Sequence, residues 1–249
     1  MKIHPTAIVS AKANIAEDVV IGAYSIVHDN VVLASGTEIQ SYCELGVSNG
    51  MSGGDLLNIG KDSLVRSHSV FYEGSVFGDG LITGHRVTVR EKTLAGRGLQ
   101  IGTLSDIQGH CEIGDYVRFH SNVHIGQRSQ IGNFVWIFPY VVLTNDPHPP
   151  SETLIGAKVR DFAVIATMSV ILPGAIVSEG CLIGAHSSLK GETEAGYVYA
   201  GAPAKKIFPA SQLMLSDGRG AAYPWTRHFK RGYPEEVIER WGRGRDSIS

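Results

Sequence analysis

Large apolar residues recur along this chain at every sixth position. The first run is Ile3, Val9, Ile15, Ile21, Val27, Leu33, Ile39 and Leu45. A second holds the same spacing from Ile59 to Leu143 through 15 members, with Thr83 and Ala95 as its weakest, and a third goes from Val159 to Leu189 in six. Two residues before most members sits a small or β-branched residue, as at Ser105, Cys111, Val117 and Val123. This period is neither the 3.6 of a helix nor the simple 2 of a strand. It marks a hexapeptide β-helix, a triangular prism in which each hexad supplies one short strand and one corner. The three runs hold 29 hexads, or roughly ten coils at three hexads each. The expected fold is therefore all-β, a parallel β-helix over residues 1–207.

The frame breaks twice. Residues 46–58 carry Gly50, Gly53 and Gly54 and read as an extruded loop. Residues 145–158 open with Asn145-Asp146-Pro147-His148-Pro149-Pro150. Its prolines cannot donate to a ladder, so this is a second loop leaving the coil. The segment 208–249 differs in kind and forms a C-terminal extension. Its stretch Pro234–Trp241 begins with Pro and two Glu, which predicts a short helix. That helix is expected to cap the open end of the prism, where strand edges are unpaired.

Strand alternation assigns faces. Val123 and Ile125 point inward, so His124 points out. One coil is 18 residues, which stacks His124 on Asp106 at about one strand spacing. A carboxylate beside an imidazole selects one tautomer and raises its basicity, which suits a general base. Where the reaction passes through a tetrahedral oxyanion, a donor is also needed, for which a backbone N–H such as that of Gly126 would serve. His120 follows Phe119 at a corner and is a candidate substrate contact. His85, in Gly84-His85-Arg86, is another. Asn145 and Asp146 begin the second loop with side chains that could bind a polar ligand, although Asn-Asp-Pro is also ordinary turn chemistry. His110 and His186 occupy the third turn position, and His148 falls on a loop tip, so solvation explains these three.

Composition narrows the remaining classes. The net charge of -2 and pI near 6.5 give no case for nucleic-acid binding. Cys43, Cys111 and Cys181 all fall at the small inward position, which predicts buried free thiols and neither a disulfide framework nor a zinc site. The histidines do not project to one point, so no metal site is expected. Phosphate-binding glycine motifs are absent. The start is not a signal peptide and no apolar run reaches the ~18 residues of a membrane span, so a soluble cytoplasmic protein is expected.

The hexad frame, the loop at Pro147 and the ending Gly201-Ala202-Pro203-Ala204-Lys205 together resemble the hexapeptide acyltransferase superfamily, over residues 1 to about 207. The resemblance implies a left-handed winding, the known exception to right-handed parallel crossovers. It also implies a homotrimer with active sites between neighbouring prisms, and an acyl-CoA or acyl carrier donor lying along the cleft. Two branches compete. The opening Ile3-His4-Pro5-Thr6-Ala7-Ile8-Val9, and more faintly Phe229-Lys230-Arg231-Gly232-Tyr233-Pro234-Glu235-Glu236, is similar to the UDP-N-acetylglucosamine acyltransferases of lipid A biosynthesis. The segments from Thr83 to Glu91, Arg118 to Gly126 and Val142 to Pro147 are more similar to N-acetyltransferases of dTDP-3-amino-3,6-dideoxyhexoses.

The lipid A enzymes have a His-Ile-Ala-His run whose second histidine is their base. Here the run reads His124-Ile125-Gly126-Gln127, with Gln127 in that place. The amino-sugar branch is therefore favoured: transfer of an acetyl or short acyl group from CoA to a nucleotide-linked amino-deoxy sugar, for surface polysaccharide or glycan biosynthesis. The resemblance then implies His124 and Asp106 as catalytic residues. His85, Arg86, Glu91, His120, Asn145 and Asp146 become substrate contacts. Acetyl-CoA would lie near Gly126, Ala166 and Gly184, whose small side chains would leave backbone amides open. Lys205 and Lys206 would meet its phosphates. The alternative is a lipid A-type O-acyltransferase using acyl carrier protein, for which Arg219, Arg227, Lys230 and Arg231 would be the basic docking patch.

Overall fold

A computed structural model describes residues 2–243. Each of the 29 hexads forms a strand, in most cases of only two residues. The strands assemble into three parallel sheets that wind as a left-handed β-helix. Sheet 1 starts at Lys2–Ile3, sheet 2 at Ile8–Val9 and sheet 3 at Asn14–Ile15, and the hexads give them 10, 10 and 9 strands. Register partners lie one coil apart, as in Val20↔Glu38, Asp106↔His124 and Glu112↔Gln130. Inward residues of all three sheets stack into one continuous core, in which Ile39, Leu45, Phe71, Ile107 and Ile125 have no exposed surface. Cys43, Cys111 and Cys181 lie in this core as free thiols. Burial pushes the Cys111 thiol up to about 11.

Corners need a residue in the left-handed region. Several of these are not glycine: Tyr42, Leu104, Asn122 and Tyr140 have φ of 60, 61, 59 and 62°. Each such residue costs of order 1 kcal/mol. The ladder on both sides overdetermines the turn and holds it.

The first frame break is a loop over residues 48–56. Strand Glu44–Val47 runs past its hexad and shifts register against Tyr72, and the chain re-enters at Leu57–Ile59. Two buried carboxylates one coil apart, Glu73 and Glu91, hold this loop. Glu73 accepts from Ser48 at 2.8 Å, Ser52 at 2.5 Å, Asn30 at 3.0 Å and the Gly54 N–H at 3.3 Å. Glu91 accepts from Asn49 at 2.9 Å. The second loop leaves after strand Val142–Leu143 and returns at Lys158–Val159, closed by the Ile155 N–H on the Asn145 carbonyl at 2.7 Å.

The far end differs from expectation. Beyond the last hexad, strand Tyr197–Ala200 adds an eleventh parallel strand to sheet 1, offset from Leu182 by 16 residues (198 − 182) instead of 18. Lys205–Pro209 then folds back antiparallel to it. This hairpin covers the edge of sheet 1 at the prism's end. The helix α1, Glu235–Arg243, is elsewhere. It lies with Trp225 and Tyr233 on the outer face of sheet 1, against Tyr116, Phe134, Trp136, Phe162 and Val164. The reason is the aromatic content of that face. Trp241 meets Phe134 edge-on at 5.3 Å, Trp225 meets Trp136 at 5.9 Å, and the Trp136 indole N–H donates to the Tyr233 hydroxyl at 3.0 Å. Among the described residues no helix is long and apolar enough to cross a membrane.

Candidate functional site

His124 and Asp106 are register partners in sheet 2, both outward and both partly exposed. His124 Nδ1 lies 3.1 Å from Asp106 Oδ2. Burial alone would raise the Asp106 carboxyl. Hydrogen bonds from His124 and Gln108, then the charges of His124 and Arg90, outweigh it and hold the carboxyl below its usual value. An ionised carboxylate only accepts, so the proton of the shared bond belongs to Nδ1 at neutral pH. That leaves Nε2 as the nitrogen able to take a proton.

His124 forms one wall of an open cleft of about 570 Å³. Thr144, Asn145, Asp146, Pro147 and His148 line it from the second loop, with Leu172, Pro173 and Lys190 from the two coils above. The loop holds its shape through Asp146, which accepts from the His148 and Ser151 N–H groups, both at 3.2 Å. The Asn145 carboxamide donates to the Gln127 carbonyl at 3.4 Å. The structure thus brings together His124, Asp106, Asn145 and Asp146.

Other expected contacts do not join them within one chain. His120 stacks on Phe138 at 4.6 Å, on the side of sheet 1, in a groove with Arg118, Trp136, Phe229 and Arg231. Burial, and then the charge of Arg118, lower its pKa. His85 and Arg86 are exposed on the corner between sheets 1 and 2, with His85 Nδ1 2.9 Å from the Ser67 hydroxyl. Glu91 is fully buried beneath the first loop, forked by Arg90 at 3.0 and 3.3 Å. It offers no surface to a ligand, which corrects its assignment as a substrate contact.

The glycine and alanine corners are corrected in the same way. The N–H groups of Gly126, Ala166 and Gly184 donate to Leu143, Ile183 and Tyr199 at 2.9, 2.8 and 2.8 Å. They are ladder donors and are free for neither an oxyanion nor a pantetheine amide. Glycine stands at 126 because a Cβ there would lie 2.6 Å from the Leu143 carbonyl oxygen. Lys205 and Lys206 are both exposed, and Lys206 is paired with Glu194 at 2.5 Å and lies 3.7 Å from the Tyr197 ring centroid.

Three contributors escaped the sequence reading: Lys190, Gln108 and Arg90. Gln108 donates to Asp106 Oδ2 at 2.5 Å and accepts from Arg90 at 3.4 Å. The 18-residue rule that stacks His124 on Asp106 also stacks Gln108 on Arg90, one corner further on. Applying it to the turn positions would have found the pair. A separate apolar cavity of about 220 Å³ lies under the extension between Trp136, Phe138, Tyr223 and Trp225. Its one imidazole, His228, is bonded to the Ala222 carbonyl at 2.9 Å.

No family model matches the chain. Over 130 residues it is 33% identical to the acyl-[acyl-carrier-protein]–UDP-N-acetylglucosamine O-acyltransferase of Syntrophobacter fumaroxidans, covering 47% of this chain and 50% of that protein. It is 28% identical over 144 residues to the enzyme of the same name from Thermodesulfovibrio yellowstonii, covering 46% and 56%. The chain thus spans about half the length of the curated relatives it matches. Among solved structures, the Arabidopsis UDP-N-acetylglucosamine acyltransferase aligns with 83% of this chain and 74% of its own at a TM-score of 0.57 and 18% identity. The fold is therefore the hexapeptide-repeat left-handed β-helix on which these acyltransferases are built.

Proposed function

We propose that this protein transfers an acyl group from a CoA thioester to the amino group of a nucleotide-linked amino sugar, with His124 as general base. The observation that carries this reading is the Asp106–His124 pair on the wall of the Asn145–Lys190 cleft. The acceptor nitrogen adds to the thioester carbonyl, forming the N–C bond. His124 Nε2 takes the proton that nitrogen must lose, while Asp106 stabilises the resulting imidazolium. The C–S bond then breaks and the thiolate leaves, to be protonated by the imidazolium or by water. Asn145 supplies a side-chain N–H toward the reacting carbonyl, a role the Gly126 N–H cannot take. Lys190 attracts the phosphates of donor or acceptor.

We place this reaction in a homotrimer, in which a second prism would close the open side of the cleft. Exposed Leu104, Tyr140 and Met168 along the corner beside sheet 2 support that arrangement.

O-acylation from an acyl carrier protein is the second reading, favoured by the names of the two relatives. Gln127 stands against it, since a carboxamide cannot act as a base. One experiment separates the two: thiol release from acetyl-CoA and longer acyl-CoAs with a panel of dTDP-, UDP- and GDP-linked amino sugars, beside acyl carrier protein thioesters with UDP-N-acetylglucosamine. Release that needs both acetyl-CoA and an amino sugar is expected. Turnover confined to the carrier-protein arm would replace the first reading with the second.

A further inference from the structure

The Asp106 carboxylate is shared. Its Oδ2 accepts from His124 Nδ1 at 3.1 Å and from Gln108 Nε2 at 2.5 Å. Gln108 lies two residues along the same strand edge, past inward Ile107. Its amide oxygen accepts from Arg90 Nη1 at 3.4 Å. Arg90 is in turn forked onto Glu91 through Nη2 at 3.0 Å and Nε at 3.3 Å. Glu91 has no exposed surface and accepts from Asn49 of the first loop at 2.9 Å. An unbroken chain of hydrogen bonds therefore joins a buried anchor to the imidazole.

We propose that Gln108 is a positioning residue, which locks Asp106 beneath His124 and is itself oriented by the Arg90–Glu91 pair. A carboxylate at the end of a short side chain turns readily about χ2. A single bond to an imidazole leaves that rotation open, and a second donor on the same oxygen closes it. Only one orientation of the Gln108 amide serves both neighbours, with oxygen toward the guanidinium and NH2 toward the carboxylate. The reverse would set donor against donor and acceptor against acceptor. Arg90 thus fixes which way the amide points, and buried Glu91 fixes Arg90 by a two-pronged pairing. The chemical consequence is a single His124 tautomer, Nδ1–H, before any ligand binds. The inference rests on the acyl-transfer reading for its kinetic consequence only.

The test uses the intact protein with 15N-labelled histidine, the His124 signals being assigned by their loss in His124→Gln. Long-range 1H–15N spectra should show the wild-type ring as Nδ1–H. In Gln108→Leu, which removes both bonds, the Nε2–H form should appear at a substantial fraction, as in the reference variant Asp106→Asn. Gln108→Glu should do the same, because it still receives the Arg90 N–H but offers Asp106 a like charge. With the donor and acceptor that the thiol-release panel identifies, both Gln108 variants should lose about tenfold in kcat with KM within about twofold. A merely structural role would leave the tautomer unchanged. A wild-type tautomer in both Gln108 variants overturns the proposal, whatever the kinetics. A shifted tautomer in a protein that turns over no thioester supports the positioning role and counts against the acyl-transfer reading.

Discussion

His124 stands one coil above Asp106, Nδ1 3.1 Å from Oδ2, because the two are register partners in a parallel ladder. The ladder sets their spacing, so neither side chain needs a ligand to bring it into place. On this ground His124→Ala should lower kcat by on the order of 10²-fold, the low end for a general base, because an amine acceptor is itself nucleophilic. Asp106→Asn, which removes the acceptor that selects the tautomer, should cost about tenfold. Both sites are partly exposed, so melting temperatures should stay within a few degrees of wild type. Steady-state kinetics beside thermal melts check this, and an unchanged kcat in His124→Ala would remove the base assignment.

The stability of the first loop should depend on pH through Glu73. Burial raises this carboxyl, but bonds from Ser52, Asn30, Ser48 and the Gly54 N–H outweigh it and leave it below the usual carboxylate range. A carboxyl that is lower in the folded state adds stability above its unfolded value of about 4.3. That stability is lost as pH falls through the folded value. Glu73→Gln should therefore cost about 1–3 kcal/mol near neutral pH, the typical penalty for disrupting bonds to a buried charge. The difference from wild type should hold down to about pH 5 and close below about pH 4. Urea unfolding at a series of pH values measures it. A difference that persists unchanged to pH 2 would show that the charge is not what holds the loop.

Arg118 fastens the C-terminal extension to the prism. Its guanidinium lies 4.7 Å from the Trp136 ring centroid and 4.2 Å from that of Tyr233, and donates to the Arg231 and Gly232 carbonyls at 3.1 and 2.8 Å. Arg118→Ala removes these two cation–π contacts and a longer third one, to the Phe229 ring at 5.8 Å, each worth about 0.5–2 kcal/mol, and leaves both carbonyls to water. Limited proteolysis should then cut within residues 208–243 at least tenfold faster than in wild type, while the prism resists. Arg118→Lys should be intermediate, since an ammonium keeps the charge and loses the planar fork. Equal cleavage rates in all three proteins would mean that the aromatic contacts alone hold the extension.

The frame of the fold was legible because one physical signal repeats: an inward apolar residue every six positions, each of which became a strand. The same arithmetic delivered Asp106 beneath His124. It failed wherever contact crossed the frame. Glu91 sits two past an inward residue, at a corner that is solvated by default, and is buried only because residues 48–56 fold over it. The extension lies on sheet 1 because Tyr116, Phe134 and Trp136 face outward there, a long-range match that no local period encodes. The backbone amides were misread for a different reason. The hexad pattern reports where side chains point, whereas every buried N–H must also have an acceptor. In a stacked solenoid the coil above supplies it, which removes Gly126, Ala166 and Gly184 from the list of free donors.

Gly126 then makes a direct prediction, because its constraint is steric. A Cβ at this position would lie 2.6 Å from the Leu143 carbonyl oxygen and 3.4 Å from the Asn145 side chain. The near contact is backbone within the ladder and cannot swing away, so Gly126→Ala must displace the strand carrying His124 or the start of the second loop. Its cost should be about 1–3 kcal/mol, the range for overpacking a tight site. The displacement falls between His124 and Asn145, so kcat should drop together with stability. Gly50 in the first loop is the control, since a Cβ there meets nothing within 4 Å. Gly50→Ala should change unfolding free energy by less than about 0.5 kcal/mol and leave turnover unchanged. If Gly126→Ala matches that control in both urea unfolding and kcat, the close approach of Leu143 to the corner does not shape the site.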